Sequence, residues 1–445
     1  MRIDLTDDAS AGNSQDLAQD EASDLLGPAP KKARVCRTAW LWRCQPFYLN
    51  AIVDYGRDGE ENEGCLSIRD VVDGPVQEML LTSTRFDLPW LVDECPVMKT
   101  IRRIAVLTGD PRTDDPQDQP SKEERLRLLV EAANDLSSYG PAVTVEAVPL
   151  TDQHGRFHPK LIFLTYADRI RVCISSANFT HSDWWRKNQI INVQDFPRKL
   201  QQGSQPSTDM EDQLAAFLRA TTKAGGWCDK IRQFDYSTAI GKIVASVPGS
   251  HAGSDVHRWG HMRMRRLLSG QPGPKGLEDH AVVCQVALLD SLEENWIEEF
   301  IGRSPHTTTA PALHVVCASA HPTLSWRQPL TWRLILPTID EVRTSLEGWA
   351  ADKEVQVMEE RLMIADMRVG TTTPLPEGLL HRWGLHKANG ERACCGAAIP
   401  HPPDRTSASP HLDTFLKYGR RSGDVSKRRE VAWIYVGSHN FSKAA

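Results

Sequence analysis

The sequence contains residues whose types and spacing suit the cleavage of a phosphodiester bond. His158 and Lys160 lie two positions apart and are followed, about twenty residues later, by Ser176 and Asn178. An imidazole can attack phosphorus as a nucleophile, while an ammonium group and an amide can bind the phosphoryl oxygens. Side chains two positions apart on an extended strand point to the same side, so His158 and Lys160 can act on one group.

A second stretch repeats this pattern with one change. His411, Ser438 and Asn440 recur in the same order, but Asp413 stands where the first motif has lysine, and 29 residues rather than 20 separate the histidine from the asparagine. An isolated His-x-Lys arises often by chance, whereas the repeat of the whole pattern favours two halves of one active site. The ten cysteines show no zinc-type spacing, and we predict neither a metal nor another cofactor.

The elements around the first motif are predicted to form a strand hairpin. Residues 160–166 and 169–175 are rich in branched residues and are joined by a two-residue link. Further strands are predicted at 103–109, 143–148, 243–249 and 431–436, with helices at 121–138 and 211–222. Strands and helices interleave, which predicts an α/β fold of mixed sheets flanked by helices.

Composition is that of a globular protein with an acidic tail. The chain has 445 residues, is 40% hydrophobic and 25% charged, and contains no apolar run long enough for a membrane helix. Residues 1–27 hold seven acids and one base, and the remainder balances with 51 of each, so a DNA contact requires a local groove. We predict a disordered tail over 1–35, one domain over 36–238 with the first motif, and another over 239–445 with the second.

The end of the tail suggests where the protein acts. Lys31, Lys32 and Arg34 form a short basic cluster that is typical of a nuclear localisation signal, and a chance basic patch is the alternative. The scattered cysteines are expected to be reduced and partly buried, as in an intracellular protein.

Several segments beside the two motifs resemble the tyrosyl-DNA phosphodiesterase family of the phospholipase D superfamily. The resemblance extends from about Phe47 to the last residue, with the segments in the family's order. They are Phe47-Tyr48-Leu49, Leu66-Ser67-Ile68-Arg69-Asp70, Phe86-Asp87-Leu88-Pro89-Trp90-Leu91, Thr108-Gly109-Asp110, Ser176-Ala177-Asn178 through Asp183-Trp184 to Gln189, Trp259-Gly260-His261, Val342-Arg343-Thr344-Ser345-Leu346-Glu347-Gly348 and Asn440-Phe441-Ser442-Lys443-Ala444-Ala445.

The resemblance implies two similar phospholipase D-like α/β domains related by pseudo-twofold symmetry, with the site between them. It implies a DNA repair hydrolase, of nuclease and exonuclease type, that cleaves the bond between a DNA 3′-phosphate and a tyrosine left by topoisomerase I, and other 3′ adducts. The expected partners are DNA with 3′-blocked ends, single- or double-stranded, and the topoisomerase I-derived peptide. A monomer in the nucleus, without membrane contact, is expected.

The resemblance also implies a role for each matching residue. His158 is the expected nucleophile that forms a phosphohistidine, and His411 the expected acid for the leaving tyrosine and then the base for water. The other implied site residues are Lys160 and Asn178 on phosphoryl oxygens, Gln189 as the hydrogen-bond partner that orients His158, Asn440 as the second amide, and Ser291 and Ser442 on DNA backbone phosphates.

The position of Asp413 departs from the family pattern and leaves the activity open. It replaces a cation by a carboxylate, and losing one preorganised donor typically costs roughly 3–4 kcal/mol. The cations that could replace it are Lys417, Lys427, Arg428 and Arg429. The family pattern also continues past the position of Ala445, with an acidic residue that orients the second histidine, so a truncated or divergent form is expected.

Other departures concern the DNA contacts. Thr84 and His154 stand where the family often has aromatic residues beside the DNA, and His154 could stack on a base or be a plain surface histidine. A basic run of Arg263, Arg265 and Arg266 could touch phosphates or form a solvated helix face.

Three hypotheses follow for the function. The first is an active 3′-end repair phosphodiesterase. The second is a weakly active or inactive relative that binds DNA 3′ ends without turnover, and Asp413 is the residue that separates it from the first. The third, a lipid-cleaving enzyme, is disfavoured because the sequence has no membrane-binding segment and carries the tyrosyl-DNA-type motifs.

Overall fold

A computed structural model provides the structure of this protein. It describes residues 46–55, 62–109, 121–149, 157–200, 206–222, 226–269, 277–286, 332–336, 339–348, 380–382, 405–421, 423 and 429–438. The predicted tail over 1–35 and its basic cluster lie outside the described residues, as do His154, Ser291, Asn440 and Ser442.

The first half of the chain, residues 46–269, contains a seven-stranded mixed sheet. Its strands are β1 (Tyr48–Leu49), β2 (Glu78–Thr82), β3 (Arg103–Gly109), β4 (Ala142–Val148), β5 (Leu161–Thr165), β6 (Arg169–Ser175) and β7 (Ile190–Pro197), in the order β1-β7-β6-β5-β2-β3-β4. The pairs β2–β3 and β3–β4 are parallel, and the other neighbouring pairs are antiparallel. The central strands carry apolar residues towards both faces because both faces are covered.

Helices and loops cover the two faces of this sheet. The helices of the described chain are α1 (Ile68–Val71), α2 (Leu88–Glu94), α3 (Lys122–Ser137), α4 (His181–Trp185), α5 (Asp209–Thr221), α6 (Trp227–Ile231), α7 (Gly260–Ser269) and α8 (Ile339–Arg343). One core contains buried side chains of α1 to α4, and the other contains those of α5 and α6 together with Trp259. Side-chain caps begin several of these helices, such as Ser121 at α3 and Thr208 at α5.

The second half, residues 277–438, contributes a five-stranded mixed sheet. Its strands are β8 (Leu277–Gln285), β9 (Trp332–Leu336), β10 (Leu380–Arg382), β11 (Asp413–Arg421) and β12 (Arg429–Gly437), in the order β10-β9-β8-β11-β12. The pairs β8–β9 and β9–β10 are parallel, whereas β11 is antiparallel to both of its neighbours. Two mixed sheets with packed helices confirm the predicted α/β fold class.

Most of the predicted strands and helices are confirmed. The strand at 103–109, the helices at 121–138 and 211–222, the hairpin of β5 and β6 and the last strand appear within a few residues of the predicted bounds. The cysteines within the described part of the chain, Cys65, Cys95, Cys173, Cys228 and Cys284, are free thiols.

The strand predicted at 243–249 is wrong. Its carbonyl groups have other partners, because Arg263 Nε donates to Ile243 O at 2.7 Å and Gly260 N donates to Ala245 O at 2.9 Å. Ile243, Ala245 and Val247 pack against the core of the first half without joining a strand ladder. Backbone groups that are already bonded outside a sheet do not require a neighbouring strand. The domain boundary near residue 238 stays a prediction.

Arg263 belongs to this packing. Its Nη2 donates to both carboxylate oxygens of Asp209 at 2.9 Å, and the side chain is buried. Arg263 therefore fits neither alternative, because its guanidinium is already held by a carboxylate and a carbonyl group and its side chain is buried rather than solvated.

Candidate active site

The strand hairpin of the first half positions the first histidine motif. His158 and Lys160 come directly before β5, and Ser175 N at the end of β6 donates to Lys160 O at 3.0 Å. Thr82 Oγ1 donates to Pro159 O at 3.3 Å and also accepts a hydrogen bond from the first residue of β5 at 3.1 Å. These bonds hold the backbone on both sides of Lys160, so the motif lies at a fixed edge of the sheet.

Lys160 is buried against His158. Its ammonium nitrogen lies 3.1 Å from Nδ1 and 3.1 Å from Nε2 of the His158 ring. A position in the ring plane at equal distance from both nitrogens would collide with ring carbon atoms, so the ammonium lies over the face of the imidazole. Lys160 Nζ also donates to Ser438 Oγ, from the second half, at 3.2 Å. The two motifs therefore meet at this ammonium group.

Asn178 is held by a carboxylate and two hydroxyl groups. Its backbone N–H and its side-chain Nδ2 donate to Asp183 Oδ2 at 2.7 and 2.8 Å. Its Oδ1 accepts from Ser83 Oγ at 2.9 Å and from Thr84 Oγ1 at 3.0 Å. These contacts fix the amide, and among the described residues its second hydrogen is available to a ligand. Thr84, which was expected beside the DNA, thus supports Asn178.

Gln189 contacts the second histidine, which differs from the expectation that it orients His158. Both Nε2 and Oε1 of its amide lie 3.3 Å from His411 Nδ1. Ser176 Oγ donates to Gln189 Oε1 at 2.6 Å, and Gln189 Nε2 donates to Asp183 O at 3.1 Å, so the orientation of the amide is fixed. Gln189 lies directly before β7, where the two halves touch, and this explains why it reaches across.

This amide suits a histidine that changes its protonation state. When His411 is neutral, its Nδ1 can accept from the Gln189 amide nitrogen, and when it is protonated, Nδ1–H can donate to the Gln189 oxygen. The carboxylate of Asp183 lies 3.7 Å from the same Nδ1. A residue that acts first as an acid and then as a base needs support in both states.

Burial and neighbouring charges set the pKa values of this pair. Burial lowers the pKa of His411 to about 3; the Asp183 carboxylate opposes this shift, and the cations Lys187, Lys160 and Arg85 add to it. For Asp183, burial favours the neutral form, but His411, Lys187 and two amide hydrogen bonds outweigh it and hold the pKa well below its ordinary value. The free site therefore holds a neutral imidazole beside a carboxylate.

Asp413, which stands where the first motif has lysine, is buried in the five-stranded sheet of the second half. It is the first residue of β11, pairs with Gly437 of β12 and is 3% exposed. The Tyr435 ring stacks on Phe415 at 5.1 Å, and its hydroxyl fills the space that a Cβ on Gly437 would take. Burial, and after it the Asp413 carboxylate, raise the pKa of Tyr435 and of Cys284. The Asp413 carboxylate thus disfavours negative charge on these two neighbouring groups of the second sheet.

The cations suggested as replacements on β11 and β12 are too far along the strands. Lys417 lies four residues beyond Asp413, and Arg429 pairs with Arg420, seven residues beyond it. At about 3.3 Å per residue these positions are roughly 13 and 23 Å along the strand, too far for a side chain to reach the start of β11. Arg429 Nη1 instead donates to the Tyr418 hydroxyl at 2.9 Å. Residues 427 and 428 lie outside the described part of the chain.

Comparison with known proteins decides the family. The family model described as tyrosyl-DNA phosphodiesterase matches residues 46–445. The chain belongs to this family. It is 27% identical to tyrosyl-DNA phosphodiesterase 1 of Arabidopsis thaliana over 398 residues, which covers 86% of this chain and 56% of that protein. It is 23% identical to a probable tyrosyl-DNA phosphodiesterase of Caenorhabditis elegans over 434 residues, which covers 95% of this chain and 82% of that protein. The chain thus spans little more than half the length of the Arabidopsis relative.

A solved structure of the tyrosyl-DNA phosphodiesterase family shows the same fold. The crystal structure of the yeast tyrosyl-DNA phosphodiesterase superposes with a TM-score of 0.54 at 12% identity, and the match covers 89% of this chain and 90% of that chain. At this identity the likeness supports the arrangement of sheets and helices alone.

In this member of the tyrosyl-DNA phosphodiesterase family, the candidate site residues that the structure describes come from both halves of the chain. They are His158, Lys160, Asn178, Gln189, His411 and Ser438. Within the described residues, no group of three or more His, Cys, Asp and Glu is placed to hold a metal ion. No described helix is long and apolar enough to cross a bilayer. The roles of Ser291, Asn440 and Ser442, outside the described residues, stay predictions.

Two charged residues beside this site, Asp183 and Lys187, have no role in the sequence motifs. Asp183 touches Asn178 and faces His411, and Lys187 Nζ lies 3.4 Å from Asp183 Oδ1. Thr180 Oγ1 accepts from Asp183 N, so in the sequence the aspartate looks like part of an ordinary helix cap. A cap and a site carboxylate have the same sequence pattern, and only the three-dimensional contact with His411 separates them.

Proposed function

We propose that this protein is a DNA repair phosphodiesterase that hydrolyses 3′-phosphotyrosyl and related 3′-DNA adducts through a phosphohistidine intermediate. The observation that carries the proposal is the meeting of the two motifs. Lys160 lies against His158 and reaches Ser438, while Gln189 contacts His411. Two histidines from opposite halves, each with a polar partner from the first half, fit a reaction in which one is the nucleophile and the other moves protons.

The first step forms a bond between an imidazole nitrogen of His158 and phosphorus and breaks the bond from phosphorus to the tyrosine oxygen. The leaving oxygen takes its proton from His411. Lys160 and the second amide hydrogen of Asn178 bind the non-bridging oxygens, where charge builds up in the transition state. The negative phosphodiester also favours the imidazolium form of His411, whose pKa in the free site is held low by burial and by cations.

The second step returns the protein to its starting state. Neutral His411 takes a proton from water, the water oxygen bonds to phosphorus, and the bond from phosphorus to His158 breaks. The products are a DNA 3′-phosphate and unmodified His158. Gln189 can support His411 in both steps, because its amide offers a donor and an acceptor at equal distance.

The proposed substrates and cellular location follow from the family and the sequence. The substrates are DNA 3′ ends that carry a topoisomerase I-derived peptide or another blocking group, on single- or double-stranded DNA, so the activity is of nuclease and exonuclease type. The protein acts as a monomer, and the basic cluster that closes the predicted tail supports a place in the nucleus. Catalysis needs no metal in this scheme, since the ammonium and amide groups serve the phosphoryl oxygens.

A gel assay with a 3′-phosphotyrosyl oligonucleotide tests the proposal. We expect release of a 3′-phosphate product in the presence of a chelator, and its loss in His158→Ala. If the purified protein leaves the oligonucleotide intact while binding its 3′ end tightly, the proposal fails and the protein is a binding protein without turnover.

Asp413 is the observation that favours this second candidate. Because its carboxylate replaces a cation at the edge of the site, Asp413→Lys should raise the rate if the missing ammonium limits turnover. The corresponding residue of the first motif, Lys160, provides the matched comparison: Lys160→Asp should lower the rate. An unchanged rate in Asp413→Lys, both with and without Tyr435→Ala, means that the second half works without a cation at this position.

A further inference from the structure

One arginine from the second half is fully buried against the first half. Arg405 is 0% exposed and begins a short 3-10 helix, Arg405–Ser407, six residues before His411. Its Nη2 donates to Asn50 O at 2.8 Å, and its Nη1 lies 3.1 Å from Cys65 Sγ and 3.4 Å from Asn62 Oδ1. A guanidinium that leaves water needs several partners of this kind, so the contact is specific in geometry.

Asn188 completes the contact from the other side. Its Oδ1 accepts from Arg405 Nε at 2.9 Å, and its Nδ2 donates to Arg405 O at 3.2 Å and to Ala408 O at 2.8 Å. Its backbone N–H donates to Ser409 O at 2.8 Å, and its carbonyl group accepts from His411 N at 3.0 Å. The chain from 405 to 411 is therefore fixed to one residue of the first half along its length.

The same residue lies next to the amide that holds the His411 ring. Gln189 follows Asn188 directly, and Gln189 N donates to Asn50 Oδ1 at 2.8 Å. Asn50 Nδ2 in turn donates to two carbonyl groups at the end of α4, those of residues 184 and 187, at 2.9 Å. The backbone of His411, its ring partner Gln189 and the helix that carries Asp183 are thus joined in one network.

A second segment supports the network from outside. Leu346 N donates to Ser407 O at 2.7 Å, and the carboxylate of Glu347 accepts from Ser182 Oγ and lies 3.7 Å from Lys187 Nζ. These contacts tie the 3-10 helix back to α4.

We propose that Arg405 and Asn188 form a clamp between the two halves that positions His411. They are positioning residues, because they hold the backbone before the histidine and do not touch the reacting atoms. The expected effect on catalysis rests on the proposed function, whereas the expected displacement of His411 rests on the contacts alone. Without the clamp, His411 leaves Gln189, while His158 and Lys160 keep their positions.

The kinetic consequence differs between the two steps. An aryl leaving group more acidic than tyrosine, such as 4-nitrophenol, needs little proton transfer, so the first step at His158 continues in a clamp variant. The second step still needs His411 as a base. We therefore expect Arg405→Met and Asn188→Ala to lower kcat about 100-fold on this substrate, as a displacement of about 1 Å can do, and to lower KM with it, because hydrolysis of the phosphohistidine becomes rate-limiting. The phosphohistidine should accumulate as a protein–DNA adduct on a denaturing gel.

The structural consequence is measured by nuclear magnetic resonance of the full chain with labelled histidine. In the unchanged protein the His411 ring should not titrate between roughly pH 5 and 8, because burial and the facing cations Lys187, Lys160 and Arg85 outweigh the opposing Asp183 carboxylate and hold the ring neutral. In the clamp variants it should titrate at about pH 6.5, the ordinary value for histidine. This readout does not depend on whether the protein cleaves DNA.

Controls separate the clamp from general stability. Arg263→Met removes another buried arginine, bound to Asp209 within the first half, and should leave the His411 titration and the adduct level unchanged. Arg405→Lys should behave like Arg405→Met, because lysine cannot reproduce the planar set of donors. If Arg405→Met does not fold, Asn188→Ala carries the same test.

An unshifted His411 titration in Asn188→Ala overturns the clamp, whatever the activity. An unchanged protein that does not cleave any 3′ adduct overturns the proposed function, and the titration then still decides the clamp.

Discussion

Removing the charge of Asp183 tests whether this carboxylate assists proton transfer by His411. The change Asp183→Asn keeps the shape of the side chain and removes a carboxylate that lies 3.7 Å from His411 Nδ1. Two unit charges about 4 Å apart interact by about 4 kcal/mol at an effective dielectric constant of about 20. That corresponds to roughly three pKa units for the imidazolium form of His411. Reorganisation reduces the effect, so we expect the first step to slow by about 10²–10³.

A comparison of leaving groups isolates this effect from a general loss of structure. Single-turnover rates are measured with a 3′-phosphotyrosyl oligonucleotide and with the 3′-(4-nitrophenyl) phosphate ester. Tyrosine, with a pKa of about 10, needs a proton as it leaves, whereas 4-nitrophenol needs it far less. The variant should therefore be slow on the tyrosyl substrate and nearly normal in the first step on the nitrophenyl substrate.

The refuting result is an equal loss on both substrates. It would mean that Asp183 acts through Asn178, to which it is bonded at 2.7 and 2.8 Å, rather than through His411. Asp195→Asn is the matched control, because Asp195 is another buried carboxylate, paired with Arg171 at 2.7 Å on the strands of the first sheet. It should reduce stability without changing the ratio of the two rates.

Three further predictions concern stability. Arg171→Met should lower the free energy of unfolding by about 1.5–3 kcal/mol in urea denaturation, because the buried Asp195 carboxylate loses two hydrogen bonds from Arg171 and keeps the one from Arg169 at 3.1 Å, whereas Arg127→Met, on the surface, should leave it nearly unchanged. Gly437→Ala should cost about 1–3 kcal/mol, because its Cβ meets the Tyr435 hydroxyl, and non-additivity with Tyr435→Phe in a double-mutant cycle would locate the clash. Because the folded-state pKa of His411, about 3, lies below the ordinary 6.5, the unfolded chain binds the proton first, so this residue makes stability fall as pH drops from about 6.5 towards 3. His411→Gln should flatten that part of a melting-temperature profile, and an unchanged slope would contradict the low pKa.

The sequence was sufficient for the elements that depend on local patterns. Strands such as β3 and the hairpin of β5 and β6 have runs of branched residues with turns at their ends, and α3 has a helical period after its Ser121 cap. The segment 243–249 has a similar local pattern, but its carbonyl groups bond to Arg263 and Gly260, which lie beyond it in the chain. A pattern of seven residues contains no information about such partners.

The site shows the same limit. His158, Lys160 and Asn178 flank the two strands of one hairpin, so their spacing indicates that they meet. The contact of Gln189 with His411 joins residues 222 apart in sequence, and nothing in the spacing says which histidine the amide faces. The family resemblance implied that Gln189 orients His158, whereas the fold brings the second half against the start of β7 and places Gln189 beside His411.

The two motifs differ in the surroundings of the charged residue that follows each histidine, Lys160 in the first and Asp413 in the second. In the first half, Lys160 lies at the edge of β5 and reaches His158 and Ser438, so one ammonium group lies at the meeting point of both halves. In the second half, Asp413 is buried at the matching edge of β11, and the Tyr435 hydroxyl occupies the space above its strand partner, Gly437. The residues at this edge, Gly437 and Tyr435, therefore accommodate a buried carboxylate at position 413. Lysine at position 413 alone would place an ammonium group beside that tyrosine, so a gain of activity in Asp413→Lys should be larger when Tyr435 is also made smaller. Equal rates for Asp413→Lys with and without Tyr435→Ala would show that the tyrosine does not limit the position of the new ammonium group.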